Sequence, residues 1–240
     1  MGRIKSQFIL LVRVIRDFIH GMYVFRLMDP CVTVFGSARL TEESPAYAVA
    51  CKVGRALGEN GFTLMTGGGP GLMEAANRGA RESGAKCVAC RIRLSFEQNR
   101  NDYIDRSASF RYFFVRKVML VSNSCALVVL PGGLGTLDEL FEVLTLIQTH
   151  KIDPMPIVFI GREYWQPLLD VMKRMVTAGT ISMSEMDRVA SLMLVTDDVS
   201  EMVTHLKDNA APIANKQKKA TKGTKLPSDR PSEVAKAAQP

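Results

Sequence analysis

Two stretches share one plan: Phe62-Thr63-Leu64-Met65-Thr66-Gly67-Gly68-Gly69-Pro70-Gly71-Leu72 and Ala126-Leu127-Val128-Val129-Leu130-Pro131-Gly132-Gly133-Leu134-Gly135-Thr136. Each is an apolar run of strand length that breaks into a glycine-dense turn and then into a helix-patterned segment. That sequence of elements is the building unit of a parallel sheet with right-handed crossovers. Working outward, Val32–Phe35, Lys86–Ile92 and Pro156–Ile160 read as further strands, and Leu192–Val195 as a short last one. Helical patterns cover Pro45–Glu59, Leu72–Glu82, Phe110–Ser122, Leu137–Thr149, Tyr164–Thr177 and Val199–Lys207. The polar stretch Ser95–Ser107 reads as an irregular loop. The expected fold class is α/β: a doubly wound parallel sheet, with residues 31–211 forming a single domain.

The flanks differ from this body. Phe8, Leu11, Val12, Ile15, Phe18, Ile19 and Met22 recur at helical spacing, so residues 1–30 are expected to form an amphipathic helical extension that packs on the body or on another subunit. The apolar run Phe8–Val12 is cut off by Arg13, Arg16 and Asp17, too early for a signal peptide or a membrane span. Residues 212–240 are rich in Lys, Pro, Ala, Thr and Ser and are expected to be a disordered basic tail. The net charge of +7 resides in these ends: +3 over residues 1–30, +5 over 212–240, and −1 between them. The body therefore offers no polyanion-binding surface by charge, and neither a specific nucleic-acid partner nor a membrane partner is expected. The five cysteines have no framework spacing. Cys87 and Cys90 form a C-x-x-C, but within a strand, where positions three apart point to opposite faces, so both read as buried structural thiols. A soluble cytoplasmic protein is the expectation.

In a doubly wound sheet, ligands bind beyond the carboxyl ends of the strands. That selects three loops: Gly36–Arg39, Thr66–Gly71 and Pro131–Thr136. Two are glycine-dense and open helices, which aims backbone N–H groups and a positive helix end at one point, as a phosphate site requires. No Gly-Lys-Ser/Thr follows either loop, which excludes a P-loop for nucleoside triphosphates. Leu72 occupies the third glycine position of a dinucleotide fingerprint, which argues against a nicotinamide cofactor. No Gly-x-Ser-x-Gly is present, and His20, His150 and His205 lie outside all three loops, so a Ser–His hydrolase has no support. Thr136 and Glu139 match a helix capping box. Yet Asp138 and Glu139 stand at the mouth of a phosphate loop, where carboxylates repel the ligand unless they act in chemistry. Arg116 and Lys117 interrupt an apolar helix. Snorkelling from the core edge would explain them, and so would a cation held on an apolar wall toward an anionic ligand.

Taken in order, Gly67-Gly68-Gly69-Pro70-Gly71-Leu72-Met73-Glu74, Arg116-Lys117 and Pro131-Gly132-Gly133-Leu134-Gly135-Thr136-Leu137-Asp138-Glu139 resemble the LONELY GUY family over roughly residues 30–195. These are cytokinin riboside 5′-monophosphate phosphoribohydrolases, once mislabelled lysine decarboxylases. The Phe96-Glu97-Gln98 stretch resembles the larger, longer-tailed subgroup. The resemblance implies a Rossmann-like fold, a homodimer or a hexamer built from dimers, no cofactor, and release of a free base plus ribose 5-phosphate from a nucleoside 5′-monophosphate. It implies Arg116 and Glu139 as the catalytic pair. It places Lys117, Gly133, Gly135, Thr136 and Thr145 along the nucleotide, with Glu97 or Gln98 as a further contact.

On this reading the 5′-phosphate docks on Gly132–Thr136 with help from Gly67, Gly68 and Gly69. Glu74 is positioned to bond a ribose hydroxyl, although a first-turn Glu also complements the helix dipole. No metal is required. A decarboxylase would need a Schiff-base lysine with supporting groups, and nothing marks Lys117 as one. The alternative from another class is a non-catalytic carrier of a phosphorylated ligand such as molybdenum cofactor, which would use the same glycine loops but need not keep Arg116 and Glu139.

Overall fold

Strands that are apolar on both faces need cover on both. In the computed structural model, which describes residues 2–26, 28–29, 31–93 and 101–223, every residue is buried in β1 (Cys31–Phe35), β2 (Thr63–Thr66), β5 (Ser124–Val129) and β6 (Ile157–Ile160). With β3 (Cys87–Ile92), β4 (Arg106–Phe110) and β7 (Met193–Thr196) they form one seven-stranded sheet in the order β4-β3-β2-β1-β5-β6-β7. All six pairings are parallel. The order steps outward in one direction from β1 to β4, then returns to the other side of β1 with β5. The crevice between the ends of β1 and β5 is thus the switch point of the winding.

Helices cover both faces. α2 (Pro45–Glu59) and α3 (Leu72–Glu82) close one face together with α8 (Val199–Gly223). α2 starts at Ser44, whose hydroxyl accepts from Ala46 N at 3.3 Å, with Pro45 in the first turn. The backbones of α2 and α3 touch: a Cβ on Gly79 would lie 1.9 Å from the Cys51 carbonyl oxygen. The other face carries α1 (Gly2–Phe25), α4 (Phe113–Ser122), α5 (Leu134–Gln148), α6 (Arg162–Thr177) and α7 (Met183–Ala190). The two strand cysteines follow the sheet's alternation, Cys87 entering the α2/α3 side and Cys90 the α1/α4 side. Both are free and buried, and burial pushes the Cys87 thiol up to about 11.

Four elements differ from expectation. Residues 106–110, assigned to the end of a loop and the start of a helix, form edge strand β4. Arg-Ser-Ala-Ser-Phe carries no β-branched residue, and this strand has a single neighbour, β3. α7 has no counterpart among the helical patterns read from the sequence. α5 begins at Leu134 rather than Leu137, with Gly133 as its N-cap. α8 continues to Gly223, past residue 212, where composition placed the end of ordered structure; Lys, Ala and Gln are adequate helix formers. Residues 224–240 lie outside the described residues, as do Glu97 and Gln98.

α1 lies on β4 and α4. Asp17, buried at 4% exposure, accepts from the Arg111 backbone N–H at 2.8 Å, and Gly21 sits against Phe110 and Met119. Val14, Phe18 and Phe25 point inward. Toward its N-terminus the helix leaves the body, and Ile4 and Phe8–Val12 are exposed. No helix among the described residues is long and apolar enough to cross a membrane.

Candidate active site

A cleft of about 540 Å³ opens at the switch point, within the range of small-molecule sites. Its walls come from the β1 end (Gly36, Ser37 and Arg39), from Met73 of α3, and from Phe113 and Arg116 of α4. The first turns of α5 complete it with Gly133, Gly135, Thr136, Asp138 and Glu139. Ser37 ties the three loops together. Its N–H donates to the Pro131 carbonyl at 3.0 Å, and its own carbonyl accepts from Leu72 N at 2.9 Å.

Gly133 caps α5 without any side-chain hydrogen bond. By helix geometry the N–H groups of Leu134, Gly135 and Thr136 have no intrahelical acceptor, so they are free for an anion. The capping-box reading of Thr136 and Glu139 does not hold, because Thr136 already lies inside the first turn. Instead, Glu139 Oε1 meets Arg116 Nη1 at 2.5 Å. The guanidinium is held from behind, its Nε donating to the Cys90 carbonyl at 2.8 Å. Arg116 and Glu139 are 8% and 9% exposed, so Arg116 does not snorkel. Burial raises the Glu139 pKa above the usual carboxylate value, against the lowering effect of Arg116.

The other residues expected at the site take several positions. Gly132 packs under the loop: a Cβ there would lie 2.1 Å from Thr136 Oγ1. Gly67, Gly68 and Gly69 stand behind the cleft. A Cβ on Gly67 would fall 2.5 Å from Arg116 Nη2, and one on Gly69 would fall 2.7 Å from Met73 Cε. Gly68 has φ +72°, and its N–H donates to Thr66 Oγ1, which in turn donates to buried Asn77. Lys117 does not reach the cleft wall. It is clamped by Asp138 at 2.9 Å and Glu142 at 3.2 Å. Burial acts to lower its pKa, but the two carboxylates outweigh it and hold the ammonium protonated. Thr145 is exposed on a later turn of α5, outside the cleft lining. Glu74 is half-buried outside the lining, its pKa raised by burial and by Glu42 and Asp102.

Arg39, Met73, Phe113 and Leu134 line the cleft but were not among the site candidates. Only Arg39 had a legible signal, as the basic residue of the loop that ends β1 at the switch point.

The family model described as "Possible lysine decarboxylase" matches residues 73–206. The chain belongs to the LONELY GUY family. Among curated LONELY GUY relatives, the cytokinin riboside 5′-monophosphate phosphoribohydrolase of Mycobacterium tuberculosis is 30% identical over 167 residues, covering 66% of this chain and 86% of that one. An uncharacterized protein of Archaeoglobus fulgidus is 34% identical over 109 residues, 45% of this chain and 70% of its own. Among solved structures, the molybdenum cofactor carrier protein of Chlamydomonas reinhardtii superposes with a TM-score of 0.54 at 23% identity, covering 75% of this chain and 98% of that one. That likeness is one of fold. The decarboxylase description of the LONELY GUY model finds no chemistry in this site: a lysine held protonated between two carboxylates does not fit the role of a Schiff-base nucleophile.

Proposed function

We propose that this protein hydrolyses the N-glycosidic bond of a nucleoside 5′-monophosphate, such as a cytokinin riboside 5′-monophosphate or AMP, giving free base and ribose 5-phosphate. The observation that carries the reading is the buried Arg116–Glu139 pair beside the open N-terminus of α5, in a cleft at the sheet's switch point. The names of the curated relatives support it.

The 5′-phosphate accepts hydrogen bonds from the first turn of α5 around Gly133, Gly135 and Thr136. Met73, Phe113 and Leu134 offer apolar surface for the base. As the base–ribose bond lengthens, positive charge grows on the sugar, and the Glu139 carboxylate stabilises it. Glu139 takes a proton from the attacking water, the water oxygen bonds to the anomeric carbon, the base leaves with the bond's electron pair and takes up a proton from solvent, and Glu139 returns its proton to solvent. Arg116 fixes the carboxylate's position.

The absence of a disulfide among the five cysteines of the described residues supports a cytoplasmic setting. Exposed Phe8, Leu11, Ile15 and Ile19 on α1, with Phe113 and Phe114 on α4, support assembly as a homodimer or hexamer. Sedimentation of the full chain checks this, and a purely monomeric species would refute it.

Incubation of the purified protein with AMP, GMP, CMP, UMP and isopentenyl-adenosine monophosphate, with Glu139→Gln as control, tests the reaction. Base release that disappears in Glu139→Gln is the expected result, and the relative rates assign the substrate. Nucleotide binding without base release from any of them would overturn the hydrolase in favour of a phosphorylated-ligand carrier.

A further inference from the structure

We propose that Arg39 is the charge partner of the ligand's 5′-phosphate and sets the preference for a nucleoside monophosphate over the uncharged nucleoside; this rests on the nucleotide reading above.

The argument starts from the charges of the cleft. Its lining carries two carboxylates, Asp138 and Glu139, and two guanidinium groups, Arg39 and Arg116. A phosphate dianion entering there meets net repulsion unless a cation remains unspent. Arg116 is spent on Glu139 and on the Cys90 carbonyl. Lys117, just behind the wall, is spent on Asp138 and Glu142. Among the described residues, the Arg39 guanidinium meets no carboxylate in an ion pair, and the one hydrogen bond at this residue is from its backbone N–H to Ser37 Oγ at 3.1 Å.

The loop that carries Arg39 is not loose. Ser37 is bonded on one side to Pro131, which leads into α5, and on the other to Leu72, the first residue of α3. Gly71 lies so close that a Cβ there would be 2.6 Å from the Ser37 carbonyl oxygen. Arg39 is therefore projected from a braced loop on the β1 side of the same cleft that the α5 N–H groups enter from the β5 side. The helix end supplies directional donors with only partial charge. An exposed guanidinium supplies a full charge and a fork that matches two phosphate oxygens. A nucleoside lacks the phosphate and gains nothing from Arg39.

The test uses ribose 5-phosphate, which carries the 5′-phosphate but has no glycosidic bond to cleave, with adenosine as the uncharged probe. Both are titrated calorimetrically into the full chain and into Arg39→Ala and Arg39→Lys. Loss of a charge-assisted phosphate contact is expected to weaken ribose 5-phosphate binding about 10- to 100-fold in Arg39→Ala. Arg39→Lys should recover part of the loss, and adenosine binding should be unchanged in both. In AMP turnover the same loss should fall on KM rather than kcat. Thermal unfolding of the variants should match the parent, since the exposed side chain packs against little. Arg39→Ala binding ribose 5-phosphate as tightly as the parent would overturn the proposal and leave the α5 terminus as sole phosphate site. An Arg39-dependent ribose 5-phosphate complex in a protein that releases no base would sustain Arg39 while refuting the hydrolase. A folded parent that binds neither ribose 5-phosphate nor AMP would refute both.

Discussion

Arg116 of α4 and Glu139 of α5 meet at 2.5 Å although each helix follows a different strand, and β3 reaches in with the Cys90 carbonyl to hold the arginine in place. The pair joins three elements of one sheet face at the point where chemistry is proposed. Its members are nearly dry, so each depends on the other for charge compensation.

Removing one member should therefore cost more than removing both. Arg116→Met leaves a buried carboxylate unpaired and should lower stability by about 3–5 kcal/mol. The double variant Arg116→Met/Glu139→Leu should recover most of that loss in urea titrations while remaining without base release. Equal destabilisation by the single and double changes would show that the pair is not energetically coupled.

The raised pKa of Glu139 has two consequences for pH. Base release needs the carboxylate, so the acid limb of the rate profile should lie above the ordinary glutamate value of 4.5. For stability the sign is opposite to that of a salt-bridged carboxylate with a depressed pKa. The folded state holds this proton to higher pH than the unfolded chain does. The contribution is thus complete below pH 4.5 and fades as pH rises through the folded value. Urea midpoints of the parent should fall relative to Glu139→Gln across that window; parallel curves would contradict the shift.

Gly67 and Gly79 should respond differently to alanine. At Gly67 the intruding methyl meets the guanidinium end of Arg116 rather than backbone, so Gly67→Ala should cut kcat more than 10-fold, a displacement effect on a positioned group, with a smaller loss of Tm than at Gly79. At Gly79 it meets the α2 backbone, and Gly79→Ala should cost about 1–3 kcal/mol or more. Thermal melts beside turnover assays separate the two.

Thiol labelling of the native protein should find Cys51 first. It is half-buried, whereas Cys31, Cys87, Cys90 and Cys125 are buried. Burial also raises the Cys87 thiol to about 11, which suppresses the reactive thiolate. Mass spectrometry after brief alkylation reads the order, and early labelling of Cys87 with Cys90 would revive a redox role for that pair.

The sequence made the centre of the sheet legible and its periphery less so. β2 and β5 are apolar runs stopped by glycine, a signal that needs no tertiary context. β4 is an edge strand whose residues Ser107–Ser109 become a strand only by pairing with β3. The capping-box pattern occurs at Thr136 and Glu139, where it is not used, and again at Ser182 and Glu185, where both of its hydrogen bonds form at the start of α7. Spacing alone cannot distinguish the two, because the outcome depends on whether an arginine from elsewhere claims the glutamate. Arg116 and Glu139 were legible through the ordered motifs. Arg39 was legible only as the basic residue of the loop that ends β1; its significance depends on which other cations are already paired, and that is a property of the folded site.

Gly67 alters how the triple glycine is to be understood. The run invites a single explanation, a soft loop wrapped around phosphate, yet its first member leaves room for a guanidinium from a helix some fifty positions downstream. Positions 67 and 116 are in this sense one evolutionary character written in two places. Across related chains the glycine should be retained where the arginine is retained, and should be free to acquire a side chain where the arginine has been replaced by something shorter.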